Sequence, residues 1–323
     1  MFKKLIEQMT TNRWFAVSLA VLAAALAYAF IVINGDRALW SGFTFIMILP
    51  ILIGSFLSLV TPGEFKNKFR YQFAVQFSVF GILILFFSVV MREGVICILM
   101  LVLPWLFFAM VGSYIVFLVQ HRIQKGRFFS IGVLLLPIMG LQIEASFAPP
   151  DSGYTVSQQV EIDAVPKDIW PLLLTIDHIQ KDEGKWNFTQ DVVGIARPKS
   201  AVLIGSGVGS VRQAEWGSNI QFEEHVTEWK PGHKIAWDFH FSDDSISQYT
   251  DRHISPDSNL LTIDRGGYLL EQIAPDRSRL TLFTEYRTQS WMHRYSSFWG
   301  QTYLGDIQNN ILRIIKDRVE RKS

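Results

Sequence analysis

The stretch Gln120–Pro150, QHRIQKGRFFSIGVLLLPIMGLQIEASFAPP, divides the chain into two unlike halves. It opens with the basic cluster His121, Arg122, Lys125 and Arg127 and continues as an apolar run from Phe128 to Ile143. It closes on Glu144 and the breaker Pro149-Pro150-Asp151. Residues 1–148 carry 11 Lys+Arg against 5 Asp+Glu, a net of +6, and consist largely of long apolar runs. Residues 149–323 carry 19 against 24, a net of −5, with ordinary globular composition. The expected organisation is a transmembrane region over 1–148, a linker over 149–153 and a soluble domain over 154–323.

A spanning helix needs about 20 mainly apolar residues. Trp14–Ile33, Ala38–Val60, Phe73–Val90 and Val95–Val119 supply four candidate spans, and Phe128–Ile143, extended to Ala148, a fifth. The expectation is an all-α bundle of about five helices. Lys and Arg number three before the first span and then one, three, one and three in the connections. That alternation follows the positive-inside rule with the N-terminus in the cytoplasm. Five spans place the C-terminal domain outside, in the periplasm of a bacterium whose inner membrane holds the protein. Were Phe128–Ile143 re-entrant, the count would be four and the domain cytoplasmic. The spans hold almost no ionisable residues, which argues against a pump or an ion-coupled transporter.

The second half alternates strand and turn signals. Tyr154–Ile162 reads as a strand. A helix is expected from Pro166, where proline suits the first turn, with a kink or break at Pro171. Asp177–Trp186 is expected as a second short helix. Strands follow near Val202-Leu203 and over Ser210–Trp216, Asn219–Trp229, Lys234–Ser242, Leu260–Gln272 and Arg279–Arg287. A terminal helix over Gly300–Arg321 carries the stripe Leu304, Ile307, Ile311, Ile314, Ile315 and Val319. An antiparallel sheet with helices gathered on one face is an α+β domain.

The order of these segments, and several local sequences, resemble the START-like, helix-grip superfamily of polyketide cyclase/dehydrase and lipid-transport type. The resemblance lies in Val160–Pro166 with Ile169-Trp170, in Gly205–Gly209 with Val211-Arg212, and in Val226–Gly232 running into Ile235–Trp237. It continues through Gly267-Tyr268 and Arg279–Tyr286 to the terminal helix Asp306–Glu320. It covers residues 154–322 and departs at Pro171 and in the polar insert Asp243–Asn259. It implies a curved antiparallel sheet around a long C-terminal helix, with a site for a hydrophobic ligand between them. It does not imply one chemistry, because one fold hosts many functions.

The alternation of Lys234–Ser242 puts Ile235, Trp237, Phe239 and Phe241 on one face and Ala236, Asp238 and His240 on the other. The expected ligand-binding wall is Phe222, Trp237, Phe239, Phe241, Tyr268, Leu270, Leu280 and Leu282, closed by Tyr303, Ile307 and Ile311. The same faces would be buried in a plain filled core. No catalytic residue is assigned, and no cofactor or metal is expected. Cys97, the one cysteine, excludes an intrachain disulfide and a multi-cysteine metal site. Gly205–Gly209 lacks the Lys-Ser/Thr of a phosphate loop and reads as a turn. His240 and His293 are expected as surface residues. Asp238, Asp264 and Glu285 are scattered carboxylates, and no nucleophile motif is present. The second half shows no basic face of the kind nucleic acid requires. The expected activity is binding of a lipid or other hydrophobic small molecule. An enzyme of cyclase, dehydratase or hydrolase type and a structural or interaction module are the alternatives.

Overall fold

A computed structural model describes residues 13–34, 42–60, 69–90, 95–122, 136–241 and 261–321. The chain forms two compact units. One is Met1–Pro150 with Ser290–Met292; the other is Asp151–Gln289 with His293–Ser323.

The first unit is helical. It contains α1 (Arg13–Asn34), a π-helical turn at Thr44–Ile48 running into α2 (Leu49–Val60), α3 (Phe69–Leu85), α4 (Val95–Arg122) and α5 (Leu136–Glu144). Phe45, Leu49, Ile53, Phe80, Leu83, Trp105 and Ala109 share one buried core. Helices α2 and α4 approach closely at glycines. A Cβ on Gly54 would lie 2.0 Å from the Ala109 carbonyl oxygen, and one on Gly112 would lie 2.1 Å from that of Ile51. Small residues permit such backbone contact in apolar bundles. Gln76 on α3 joins them, donating to Ser113 Oγ at 2.8 Å and to the Gly54 carbonyl at 3.3 Å.

Among the described residues one helical stretch, Ile98–Leu118, is long and apolar enough to cross a membrane. Thr44–Leu59 and Phe73–Leu85 are apolar but shorter. Helix α1 covers the first expected span. The full five-span bundle is therefore not reached here. Residues 38–41 of the second expected span and 128–135 of the fifth lie outside the described residues. The described part of the fifth, α5, has nine residues. At about 1.5 Å per residue, that is too short by itself for a hydrocarbon core roughly 30 Å thick.

The second unit is a seven-stranded antiparallel sheet. Its strands are β1 (Asp151–Ile162), β2 (Pro198–Ile204), β3 (Val211–Trp216), β4 (Ile220–Lys230), β5 (Lys234–His240), β6 (Thr262–Ala274) and β7 (Arg277–Gln289), in the spatial order β1-β7-β6-β5-β4-β3-β2. Two short helices, α6 (Pro166–Leu174) and α7 (Phe188–Asp191), separate β1 from β2, and the long α8 (His293–Glu320) ends the unit. Period-2 burial explains the strands: Leu280, Leu282, Thr284, Tyr286 and Thr288 of β7 alternate with more exposed residues. Helix α8 lies against β1 and β7, where Gln308 donates to the Val156 carbonyl at 3.2 Å. Its buried Leu312, Ile314, Ile315 and Val319 join Ile169 and Leu173 of α6 and Leu280 of β7 in one cluster. This element order and topology are those of a helix-grip domain, the α+β arrangement expected from the sequence.

Several boundaries differ from expectation. β1 starts at Asp151, within the expected linker, because Asp151, Ser152 and Gly153 pair with Gln289, Thr288 and Arg287. Helix α6 runs through Pro171 without a break; buried Ile169 and Leu173 hold the turns on either side of the lost N–H. Asp177–Trp186 is not a helix. The helical turn falls instead at Phe188–Asp191, where the Asn187 side chain caps the Gln190 N–H. Helix α8 begins at His293 and not near Gly300, because Ser297, Trp299 and Tyr303 already contribute a buried face. The polar insert Asp243–Asn259 lies outside the described residues.

Candidate functional site

The inner face of the sheet is built by alternation. On β5, Ile235 and Trp237 are buried and Phe239 is half-buried, while Asp238 and His240 are exposed. Ala236 departs from the expected alternation, being fully buried on the opposite face. Tyr268 and Leu270 of β6, Leu280 and Leu282 of β7 and Phe222 of β4 pack with Trp237 into one cluster, with Phe239, Phe241 and Ile311 against it. Tyr303 and Ile307 are also buried but stand outside that cluster, and Tyr303 packs instead on Trp299 at 5.3 Å.

The aromatic rings interlock. Trp237 meets Tyr268 edge-on at 5.5 Å and Phe239 at 6.2 Å, and Phe239 stacks on Phe241 at 6.0 Å. Phe222 lies 5.5 Å from Phe241. Edge-to-face pairs of this kind add about 0.5–1.5 kcal/mol each beyond burial. Gly266, opposite Trp237 in the ladder, makes room for them. A Cβ there would fall 2.8 Å from the Phe239 ring and 3.1 Å from Trp237 Nε1.

At the centre of this apolar face sits an ion pair. Arg212 of β3 and Glu224 of β4 are cross-strand partners, 3% and 5% exposed, and their side chains bond to each other. Arg212 Nε also donates to the Leu174 carbonyl at 3.2 Å, the last carbonyl of α6. The Arg212 guanidinium carbon lies 5.2 Å from the Trp237 ring centroid and 5.8 Å from that of Tyr268. Burial pushes the Glu224 carboxyl up from its ordinary range, and the Arg212 charge opposes that. Burial also pushes the Tyr268 phenol up, which keeps it neutral beside Arg212, toward which its oxygen can only accept. Trp237 Nε1 is buried and has no hydrogen-bond partner among the described residues.

A second polar spot lies between α8 and β1/β7. Gln308 donates to Thr284 Oγ1 at 2.9 Å as well as to Val156, and its Oε1 is buried without a partner among the described residues. His293, expected on the surface, is half-buried. Its Nδ1 meets the Tyr154 hydroxyl at 2.6 Å. Near the start of α8, Trp299 is packed inside and Phe298 is 60% exposed.

Sequence reasoning put these aromatic residues on one apolar face and missed the ion pair among them. The signal was present in the period of two. Glu224 shares its phase with Phe222 and Val226, and Arg212 with Ala214. Chemically, the arrangement offers a net-neutral pair, a phenol and an indole N–H converging in an apolar interior. It contains no nucleophile–base pair, and no group of three potential metal ligands occurs among the described residues.

No protein-family model matches the chain, and none of the curated proteins compared matches it. Among solved structures the chain is similar to norcoclaurine synthase from Thalictrum flavum in complex with dopamine and hydroxybenzaldehyde, at 15% identity and TM-score 0.33, covering 54% of this chain and 90% of that one. It is also similar to the Zhui aromatase/cyclase from Streptomyces sp. R1128, at 10% identity and TM-score 0.33, covering 53% and 96%. Ara h 8.0201 aligns at 10% identity and TM-score 0.30, covering 53% and 99%.

Proposed function

We propose that the chain is a membrane-anchored protein whose helix-grip domain binds a lipid or other hydrophobic small molecule against the inner face of the sheet. The observation that carries this reading is the buried Arg212–Glu224 pair with Tyr268 and with Trp237 Nε1, which has no hydrogen-bond partner among the described residues. A purely structural core gains little from such a pair, because its desolvation costs several kcal/mol per ion. Apolar walls with a few convergent polar groups are what small-molecule sites use, and perturbed titratable groups concentrate at functional sites. The expected wall, from Phe222 to Leu282 with Ile311, is the apolar lining of the proposed site. Anchoring rests on Ile98–Leu118 and on the alternating basic count, read as five spans with the C-terminal domain outside the cytoplasm.

The test is native mass spectrometry of the full chain purified in detergent, followed by solvent extraction. An apolar adduct, reduced in Arg212→Met/Glu224→Leu, is expected. A protein free of adduct that also takes up no apolar fluorophore would overturn the reading. The raised carboxyl of Glu224 also suits an acid–base role on the same ligand, as a cyclase, dehydratase or hydrolase would need. Chemical conversion of the extracted molecule on re-addition separates that reading from binding alone.

A further inference from the structure

The outer face of the sheet carries a second cluster, apart from the buried site. In the β4–β5 ladder Glu223 stands opposite His240, and His225 stands opposite Asp238. Glu223 and His225 are out of phase with buried Phe222, Glu224 and Val226, and Asp238 and His240 are out of phase with Trp237. Two histidines and two carboxylates therefore form a square on the solvent side, each histidine diagonal to the other. The His225 and His240 ring centroids lie 5.3 Å apart at 45°. His225 Nε2 lies 2.7 Å from Glu223 Oε2.

We propose that His225 and His240 form a two-histidine surface site for a borderline divalent transition-metal ion of the Zn²⁺ class, with Glu223 orienting His225. Imidazole suits Zn²⁺, Cu²⁺ and Ni²⁺. A tetrahedral ion bonded to both rings at about 2.0–2.1 Å would itself hold the ring centroids roughly 5 Å apart. A ligating histidine normally gives its other ring nitrogen to a carboxylate, which fixes the tautomer. Glu223 takes Nε2 and leaves Nδ1 of His225 for the ion. The flanking strands place Val211 and Gln213 beside His225 and Glu223, and Arg265 beside Asp238. That arginine is already committed to Glu228 at 3.0 Å. No third ligand converges among the described residues, so the proposed site stands on the two imidazoles. A bound ion clips β4 to the last residue of β5.

The test uses the full chain, untagged and in detergent, titrated with Zn²⁺ against a competing fluorescent chelator. One equivalent is expected to bind, and Zn²⁺ is expected to raise the melting temperature. His225→Asn and His240→Asn should each abolish the thermal shift, and Glu223→Gln should weaken binding by about tenfold or more. Circular dichroism confirms that these surface variants fold. With Cu²⁺ as the probe, electron paramagnetic resonance should report two nitrogen donors in the wild type and one in either histidine variant. No uptake at millimolar Zn²⁺, or uptake unchanged in both histidine variants, overturns the proposal.

Discussion

Arg212 and Glu224 face each other across the β3–β4 ladder and form an ion pair enclosed by Trp237, Tyr268 and the last carbonyl of α6. Each group is tolerable there only because the other is present. Removing one leaves an uncompensated charge in a low-dielectric interior, whereas removing both leaves apolar volume to refill.

The first prediction follows from that asymmetry. Arg212→Met and Glu224→Leu alone should each destabilise by about 3–5 kcal/mol, and the double variant by clearly less than either. Denaturant unfolding followed by near-ultraviolet circular dichroism measures this. Additive single effects would show that the two side chains do not depend on each other.

A second prediction concerns acid. Arg318 on α8 reaches both oxygens of Glu183, at 2.6 and 2.8 Å, and this bond, more than the opposing effect of burial, holds the Glu183 carboxyl below its ordinary range. A carboxyl whose folded value is depressed contributes stability that is complete above its unfolded value of about 4.3 and is lost as pH falls through the folded one. Glu228, held down to about 2 by Lys234 first and Lys230 next, has the same sign. Glu224 has the opposite sign. Its raised value means that the folded chain binds the proton more tightly, so its contribution declines as pH rises through that value. Thermal melting followed from pH 7 downward should fall less steeply in Arg318→Met than in the wild type once pH drops below the ordinary glutamate range. Parallel curves would mean that Glu183 is not held by Arg318.

Much of this domain was legible because strands such as β4 and β7 alternate buried and exposed residues over most of their length. Phe222, Trp237, Tyr268, Leu270, Leu280 and Leu282 were readable as one apolar face, and Gly205–Gly209 as a turn between strands. Arg212 and Glu224 were hidden because residue type suggests exposure; only the phase of their neighbours places them inside. The helical turn at Phe188–Asp191 was missed because a single capping side chain, Asn187, decides it against weak propensity. The early start of α8 was not legible because the apolar stripe is regular only from Leu304 onward, while the turns before it are fixed by packing such as that of Trp299 on Tyr303.

The third prediction tests the facing of β5. Trp237 is 2% exposed and touches Arg212, Tyr268 and Phe239, whereas its neighbour Asp238 is turned to solvent. Trp237→Ala should weaken uptake of an apolar fluorophore at least severalfold, and Asp238→Ala should leave it nearly unchanged. A conservative Trp237→Phe, which keeps most of the ring volume, separates loss of fold from loss of the wall. Equal effects of Trp237→Ala and Asp238→Ala would refute the proposal that a ligand lies against the Trp237 face of β5.

The last prediction concerns which side of the membrane the domain occupies. The basic residues before and between the apolar runs count three, one, three, one and three. Lys and Arg resist translocation, so the richer segments stay in the cytoplasm. Five crossings then carry everything after Glu144 to the other side, whereas four would return it. The deciding segment is Phe128–Ile143, with Arg122, Lys125 and Arg127 immediately before it. A reporter active only outside the cytoplasm, fused after Ser323, should be active in the wild type. Moving the charge bias by Arg122→Glu/Lys125→Glu/Arg127→Glu should reduce that activity, because the segment loses its cytoplasmic anchor. A silent reporter on an intact, well-expressed fusion, with a cytoplasm-specific reporter active at the same position, would establish four crossings and place the C-terminal domain inside the cell.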